Sequence, residues 1–318
     1  MKLSLEQIKS ITVGALAVWE KDGAFCFAKC TPKQVEAWYV VSHILGERAE
    51  ATTGVRLDFH TNSTFFAFTT KNMVNYEIYI DDVFTKAFRK NDFIEGSRKK
   101  VDLDGKEHRI TLYFPSHDAG GKLEAVEVDD NAAVIPHQFD RKILFIGDSI
   151  TQGWESTWDS LSYAYHVSRF FNAESVIQGI GGAMYQMTTF DEEIEFEPDV
   201  VIVAYGTNDW KHYKTLEEGR GHCHRYLDQL VARYGEKKLF GISPIWRADT
   251  AVDSLMGSFE SCAAYVKQEI VNHGMILIDG ETLTPHFPDF YSDGFLHPDA
   301  KGFGIYALNL IAQMQTFL

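Results

Sequence analysis

Two hydrophobicity patterns divide the chain. Up to about Val134, apolar and polar residues alternate with the period of half-buried strands. The clearest runs are "GVRLDFHTNSTFFAFTT" from Gly54, "VNYEIYIDDVFTKAF" from Val74 and, more briefly, "HRITLYFP" from His108. Turn-forming clusters "TNS", "DD", "DGK" and "HDAGG" separate them. Nearer the start, Leu16, Val18 and Trp19 lead to Asp22-Gly23 and then "AFCFAKC", which predicts a β-hairpin. Many short strands with such spacing predict an all-β antiparallel sandwich or jelly roll.

After "VEVDDNAAVIPHQFD", acidic and then broken by Pro136, the pattern changes to strand, loop, helix, repeated. Near-continuous apolar strands are predicted in "KILFIGDS", "ESVIQGIGG", "DVVIVAYGTND", "KKLFGISP" and "MILIDG". Between or after them, helices are predicted in "LSYAYHVSRFF", "TLEEGRGHCHRYLDQLVARYG", "GSFESCAAYVKQEIVNHG" and "DAKGFGIYALNLIAQMQTFL". Strands apolar on both faces, alternating with helices, mean an α/β doubly wound parallel sheet. The expected organisation is a β domain over residues 1–136 and an α/β domain over 137–318.

Composition narrows the partners more than the fold. The 318 residues carry a formal net charge of −15, a surface that repels polyanions, so neither nucleic acid nor an anionic membrane face is expected as partner. Glu6 and Lys9 interrupt the apolar approach to "ALA", which speaks against an export signal, and no stretch reaches membrane-spanning length. The expectation is a cytoplasmic protein; its oligomeric state is not legible. Cys26, Cys30, Cys223 and Cys262 form no CxxC pair. In "GHCHR", His222, Cys223 and His224 are consecutive and point different ways on a helix, so no metal is expected there. His166, His212, His273 and His286 read as surface or core residues.

In an open parallel sheet, ligands bind beyond the carboxyl ends of the strands. Those ends deliver Gly147-Asp148-Ser149, Gly179-Ile180-Gly181-Gly182 and Gly206-Thr207-Asn208-Asp209, and a later loop "YSDGFLHPDAKG" adds Asp293 and His297. Each feature alone has a plainer reading: Ser149 as a helix cap, Asn208-Asp209 as a turn. The glycines of "QGIGG" lack the GxGxxG spacing of a dinucleotide site. Together the groups are complementary. A serine needs a base, histidine is the usual base near neutral pH, a carboxylate can fix its tautomer, and a tetrahedral oxyanion needs preorganised N–H donors.

Four blocks in this order resemble the SGNH, or GDSL, hydrolases: "FIGDSITQG", "VIQGIGGAM", "AYGTND" and "SDGFLHP". The resemblance covers roughly Lys142 to the C-terminus and implies a flavodoxin-like fold, no cofactor and a serine esterase. It implies Ser149 as nucleophile and His297 as base with Asp293 its partner. The oxyanion hole would be the N–H groups of Ser149 and Gly182 with the Asn208 side chain. Two departures stand out. Gln178 occupies the place of a usual asparagine, and Asp293 and His297 form DxxxH where DxxH is usual, so that either Asp293 or a backbone carbonyl orients His297. Trp154, Trp158, Tyr185, Trp210, Trp246 and Phe295 lie in or near the rim loops. Of the residues there, Trp210, Asp148, Trp154 and Phe295 are taken as substrate-binding. A β-rich domain ahead of such a hydrolase also resembles some carbohydrate acetyl esterases, implying de-O-acetylation of a sugar or oligosaccharide. Alternatives are a short-chain lipid or aryl esterase, or a carbohydrate-binding protein on an inactive hydrolase scaffold.

Overall fold

The computed structural model describes residues 1–92, 96–117 and 120–318. Of the expected turn "HDAGG", Asp118 and Ala119 lie outside these residues. The chain opens with α1 (Leu5–Ile11), β1 (Thr12–Val13), β2 (Ala17–Lys21) and β3 (Ala24–Ala28). The expected hairpin is β2–β3, and Asp22 and Gly23 both take positive φ (52° and 74°), as its two-residue turn requires. Helices α2 (Pro32–Val41) and α3 (His43–Ala49) follow. Then come β4 (Arg56–Thr61), β5 (Phe65–Thr70), β6 (Tyr76–Ile80), β7 (Val83–Phe88), β8 (Arg98–Asp102), β9 (His108–Tyr113), β10 (Leu123–Glu127) and β11 (Ile135–Pro136).

These strands form two antiparallel sheets. One runs β1-β4-β9-β6-β7, with β11 on β4; the other runs β2-β3-β10-β5-β8. Inward-facing Phe59, Phe66, Phe68, Ile78, Ile110, Leu112 and Val126 fill a common core. This part is β-rich rather than all-β, because α1, α2 and α3 interrupt it. Thr31 caps α2 reciprocally with Gln34, and Pro32 occupies its first turn. The helix pair does not join the β core. Trp38, Leu45 and Ala49 pack instead with Leu144, Val176, Val201 and Leu227 of the following α/β part.

The second part contains β12 (Arg141–Gly147), α4 (Ser149–Gln152), α5 (Tyr163–Phe170), β13 (Ala173–Gly179), β14 (Val200–Ala204), α6 (Asp209–His212) and α7 (Leu216–Tyr234). It ends with β15 (Lys238–Ile242), α8 (Phe259–Asn272), β16 (Ile276–Ile278) and α9 (Ala300–Met314). All neighbouring strands are parallel, in the order β13-β12-β14-β15-β16, that of a doubly wound sheet. Along β12, Leu144 and Ile146 face α7 and α8, while Ile143 and Phe145 face α5 and α9. Both faces are covered, which is why these strands read as unbroken apolar runs.

Candidate active site

The order of the sheet reverses at β12, between β13 and β14, and the predicted residues lie just past these strands. Asp148 directly follows β12 and caps α4, its Oδ1 accepting from the Ile150 N–H at 2.9 Å. Ser149 is thereby the first residue of that short helix, with its own N–H uncommitted to a helical bond. Two glycines permit the close packing. A Cβ on Gly147 would lie 2.0 Å from Thr151 Oγ1, and one on Gly179 would lie 2.3 Å from the Gln152 nitrogen.

Ser149 Oγ and His297 Nε2 are 2.9 Å apart, and His297 Nδ1 and Asp293 Oδ2 are 2.7 Å apart. The extra residue in DxxxH is absorbed by a closed loop. Ser292 N–H donates to the His297 carbonyl at 2.9 Å, Tyr291 bridges Pro298, and Gly294 takes φ 77°. Inside it, Asp293 Oδ1 accepts from the N–H groups of Phe295, Leu296 and His297 at 3.0, 2.8 and 3.1 Å. Burial alone would raise the Asp293 pKa, but these donors and His297 outweigh it and hold the carboxyl below its ordinary value.

The glycine loop after β13 is held from several sides. Ile180 N–H donates to the Gly147 carbonyl at 2.9 Å, Gly181 N–H donates to Gln152 Oε1 at 2.7 Å, and Gly182 takes φ 85°. Asn208, half-buried in the turn between β14 and α6, spends one amide N–H on the Ala183 carbonyl at 2.9 Å, which orients the other. Gln178 lies away from this chemistry, in a buried amide pair with Gln34.

Two expected substrate contacts are corrected. Trp210 is 1% exposed: α6 turns its ring into the core against Phe259 and Arg247, and Nε1–H donates to the Gly257 carbonyl at 2.7 Å. Asp148 is also 1% exposed and committed to the helix cap, and burial pushes its carboxyl up to about 7. Tyr185 is likewise buried. Trp154 and Phe295 keep accessible surface, Phe295 38% of it.

Sequence reasoning missed what the first part brings to this rim. Arg48 on α3 donates from Nη1 to the Gly181 carbonyl at 2.7 Å and lies over the Trp154 ring, 4.9 Å from its centroid. With Leu45 it walls the loop, and a Cβ on Gly182 would meet their side chains at 3.2 and 3.3 Å. Below them Lys29, fully buried, donates to the Gly179 and Arg48 carbonyls and to Thr53 Oγ1 at 2.9, 3.0 and 2.8 Å. Burial lowers its pKa to about 8. No local pattern in the sequence ties Lys29 or Arg48 to the end of β13 and its glycine loop, 150 and 133 residues later; the capping box Thr31–Gln34 and Pro32 signal only that a helix starts there.

A serine on a strand-to-helix turn, in line with histidine and carboxylate over a doubly wound sheet, belongs to a carboxylic ester hydrolase. The profile of the GDSL-like Lipase/Acylhydrolase family matches residues 145–305, half of the chain, and the chain belongs to that family. No curated protein matches it by sequence. Solved structures share the fold at low identity. A salicylyl-acyltransferase from a tetracycline biosynthetic pathway gives a TM-score of 0.78 at 15% identity, over 96% of this chain and 94% of its own. A family two carbohydrate esterase from Cellvibrio japonicus gives 0.69 at 16%, over 99% and 97%. Another from Clostridium thermocellum, in complex with cellohexaose, gives 0.61 at 17%, over 83% and 93%. Among the described residues, no helix is long and apolar enough to cross a membrane.

Proposed function

We propose that this esterase removes O-acyl groups, acetyl foremost, from carbohydrates through a Ser149 acyl-enzyme. The observation that carries the mechanism is the unbroken Ser149–His297–Asp293 hydrogen-bond chain. Ser149 Oγ attacks the ester carbonyl while His297 Nε2 takes its proton, and Asp293 stabilises the imidazolium through Nδ1–H. The N–H groups of Ser149 and Gly182 and the free Asn208 amide N–H receive the oxyanion, each such donor being worth about 2.7–4 kcal/mol in the transition state. His297 then protonates the leaving alcohol and activates the water that releases the acid. No step calls for a metal or cofactor.

The substrate class draws on the likeness to the family two carbohydrate esterases. We read the paired antiparallel sheets as a jelly-roll-like accessory domain, residues 1–136, and 137–318 as the catalytic domain. Trp154, which follows the Ser149 helix, and Phe295, in the Asp293–His297 loop, are the accessible aromatic side chains we assign to contact a small ester. The test is acetate release from acetylated sugars and xylan, beside p-nitrophenyl esters of rising acyl length, by the wild type and Ser149→Ala. Carbohydrate acetates should be cleaved, p-nitrophenyl acetate faster than longer esters, and both activities should vanish in the variant. Equal rates in Ser149→Ala would overturn the nucleophile. Hydrolysis of aryl or short lipid esters alone would move the substrate class, and glycan binding without any esterase activity would make the chain a lectin-like scaffold.

A further inference from the structure

Of the three consecutive residues in "GHCHR", only one faces outward toward other ligating groups. The His222 ring stacks on Tyr213, and Cys223 is buried in the core. His224 faces Asp228, one turn along α7, and His273, the residue that caps α8. One ligating atom from each of the three lies within 4.8 Å of the others.

The hydrogen bonds fix how these groups present themselves. His273 Nδ1 meets the Glu269 carbonyl at 2.6 Å, and a carbonyl only accepts, so Nδ1 carries the proton. His224 Nδ1 meets Glu269 Oε2 at 2.8 Å, and that carboxylate is also bound by Arg220 at 2.7 Å, so this Nδ1 is a donor too. With Nδ1 engaged on each ring, Nε2 is the atom turned to Asp228: His224 Nε2 lies 3.5 Å from Oδ2 and His273 Nε2 lies 3.2 Å from Oδ1. Either a proton on Nε2 or a cation held between the groups reconciles the carboxylate with the two rings. Each ring–carboxylate separation is close to the ligand–ligand edge of about 3.3 Å that bonds of about 2.0–2.1 Å make around a tetrahedral ion, the two rings meeting different oxygens of Asp228. Glu269 supplies the outer carboxylate and backbone carbonyl that typically orient metal-bound histidines.

We propose that His224, Asp228 and His273 form a structural site for a first-row divalent cation of the zinc type, with water as the fourth ligand. The site is remote from the ester chemistry. His273 lies three residues before the start of β16, at the edge of the sheet opposite the strand ends that carry Ser149. A bound ion would tie the end of α8 to the middle of α7.

The test uses the full chain after chelator treatment, titrated with Zn2+ by calorimetry and with Co2+ by visible absorption. The expected result is one ion per chain and a rise in Tm of roughly 3–6 °C at saturation. His224→Ala and Asp228→Asn should each weaken binding at least tenfold and abolish the Tm rise. His297→Ala should bind as the wild type does, which separates this site from the catalytic histidine. His224 and Asp228 are 54% and 58% exposed, so both variants should fold and keep the esterase rate, and the metal-free Tm of each variant is the baseline from which its own response to Zn2+ is read. Absence of Zn2+ binding would overturn the proposal and leave a proton as what reconciles the three groups. So would binding that survives both variants, or that His297→Ala removes.

Discussion

Replacing Asp293 by asparagine should be more damaging to turnover than deleting its side chain, and the loop geometry says why. Oδ1 accepts three backbone N–H groups at 2.8–3.1 Å, whereas Oδ2 meets, among the described residues, only His297 Nδ1. An asparagine must put its carbonyl oxygen where the three donors converge, since the opposite orientation would set an amide N–H2 against them. Its N–H2 then points at His297 Nδ1, which can meet it only as an acceptor. The ring proton moves to Nε2 and faces Ser149 Oγ, so the base is already protonated. The corresponding change in the serine protease triad costs about 10⁴ in kcat, or about 5.4 kcal/mol, and a loss of about 10³–10⁴ is expected here. Asp293→Ala leaves His297 free to take the productive tautomer. It should lose stability, about 1–3 kcal/mol from three loop donors turned to water, but retain at least tenfold more kcat than Asp293→Asn. The assay is p-nitrophenyl acetate hydrolysis at saturation, with Tm measured for both variants. Asp293→Asn within tenfold of wild type, or less active Asp293→Ala at equal folded fraction, would refute the tautomer argument.

Two further outcomes rest on buried charges. Lys29→Met strips the donor from three buried acceptors, offset in part because a charge is no longer buried; urea unfolding should show a loss of about 2–4 kcal/mol, and a change under 0.5 kcal/mol would count against the staple. Asp209 is fully buried, its Oδ1 accepts no hydrogen bond among the described residues, and burial pushes its carboxyl up from 3.8 to about 8. The folded state therefore holds this proton longer than the unfolded one, so its contribution is complete below about pH 4 and is lost as pH rises through about 8. Asp209→Asn should flatten the fall in Tm between pH 5 and pH 8.5, and an unchanged slope would show that Asp209 ionises freely.

What was legible in the sequence follows from where the information is local. Apolar strands covered on both faces, glycines too close to a neighbour to bear a Cβ and polar residues at strand ends all announce themselves within a few positions. The parallel sheet and the four blocks could therefore be placed. Trp210 shows the limit: its place directly after the "AYGTND" block suggested the rim, but one turn of α6 sends the ring inward, and a single turn has too few residues to show an apolar face. Arg48 and Lys29 act on groups more than 130 residues away, through contacts that exist only once the halves are packed. The DxxxH spacing looked like a defect because residue counting ignores that a positive φ at Gly294 folds the extra residue back.

The burial of Trp38, Leu45 and Ala49 against the strands of the hydrolase has a consequence for how this chain can be cut and recombined. A fragment beginning near His137 would keep Ser149, Asn208, Asp293 and His297, yet uncover the apolar face that α2 and α3 occupy. It would also leave the glycine loop without its Lys29 tether and Arg48 wall. The β-rich part is thus no detachable cassette: an exchange that preserves this hydrolase must carry residues 29–49 along with the catalytic half, whichever sheets it leaves behind.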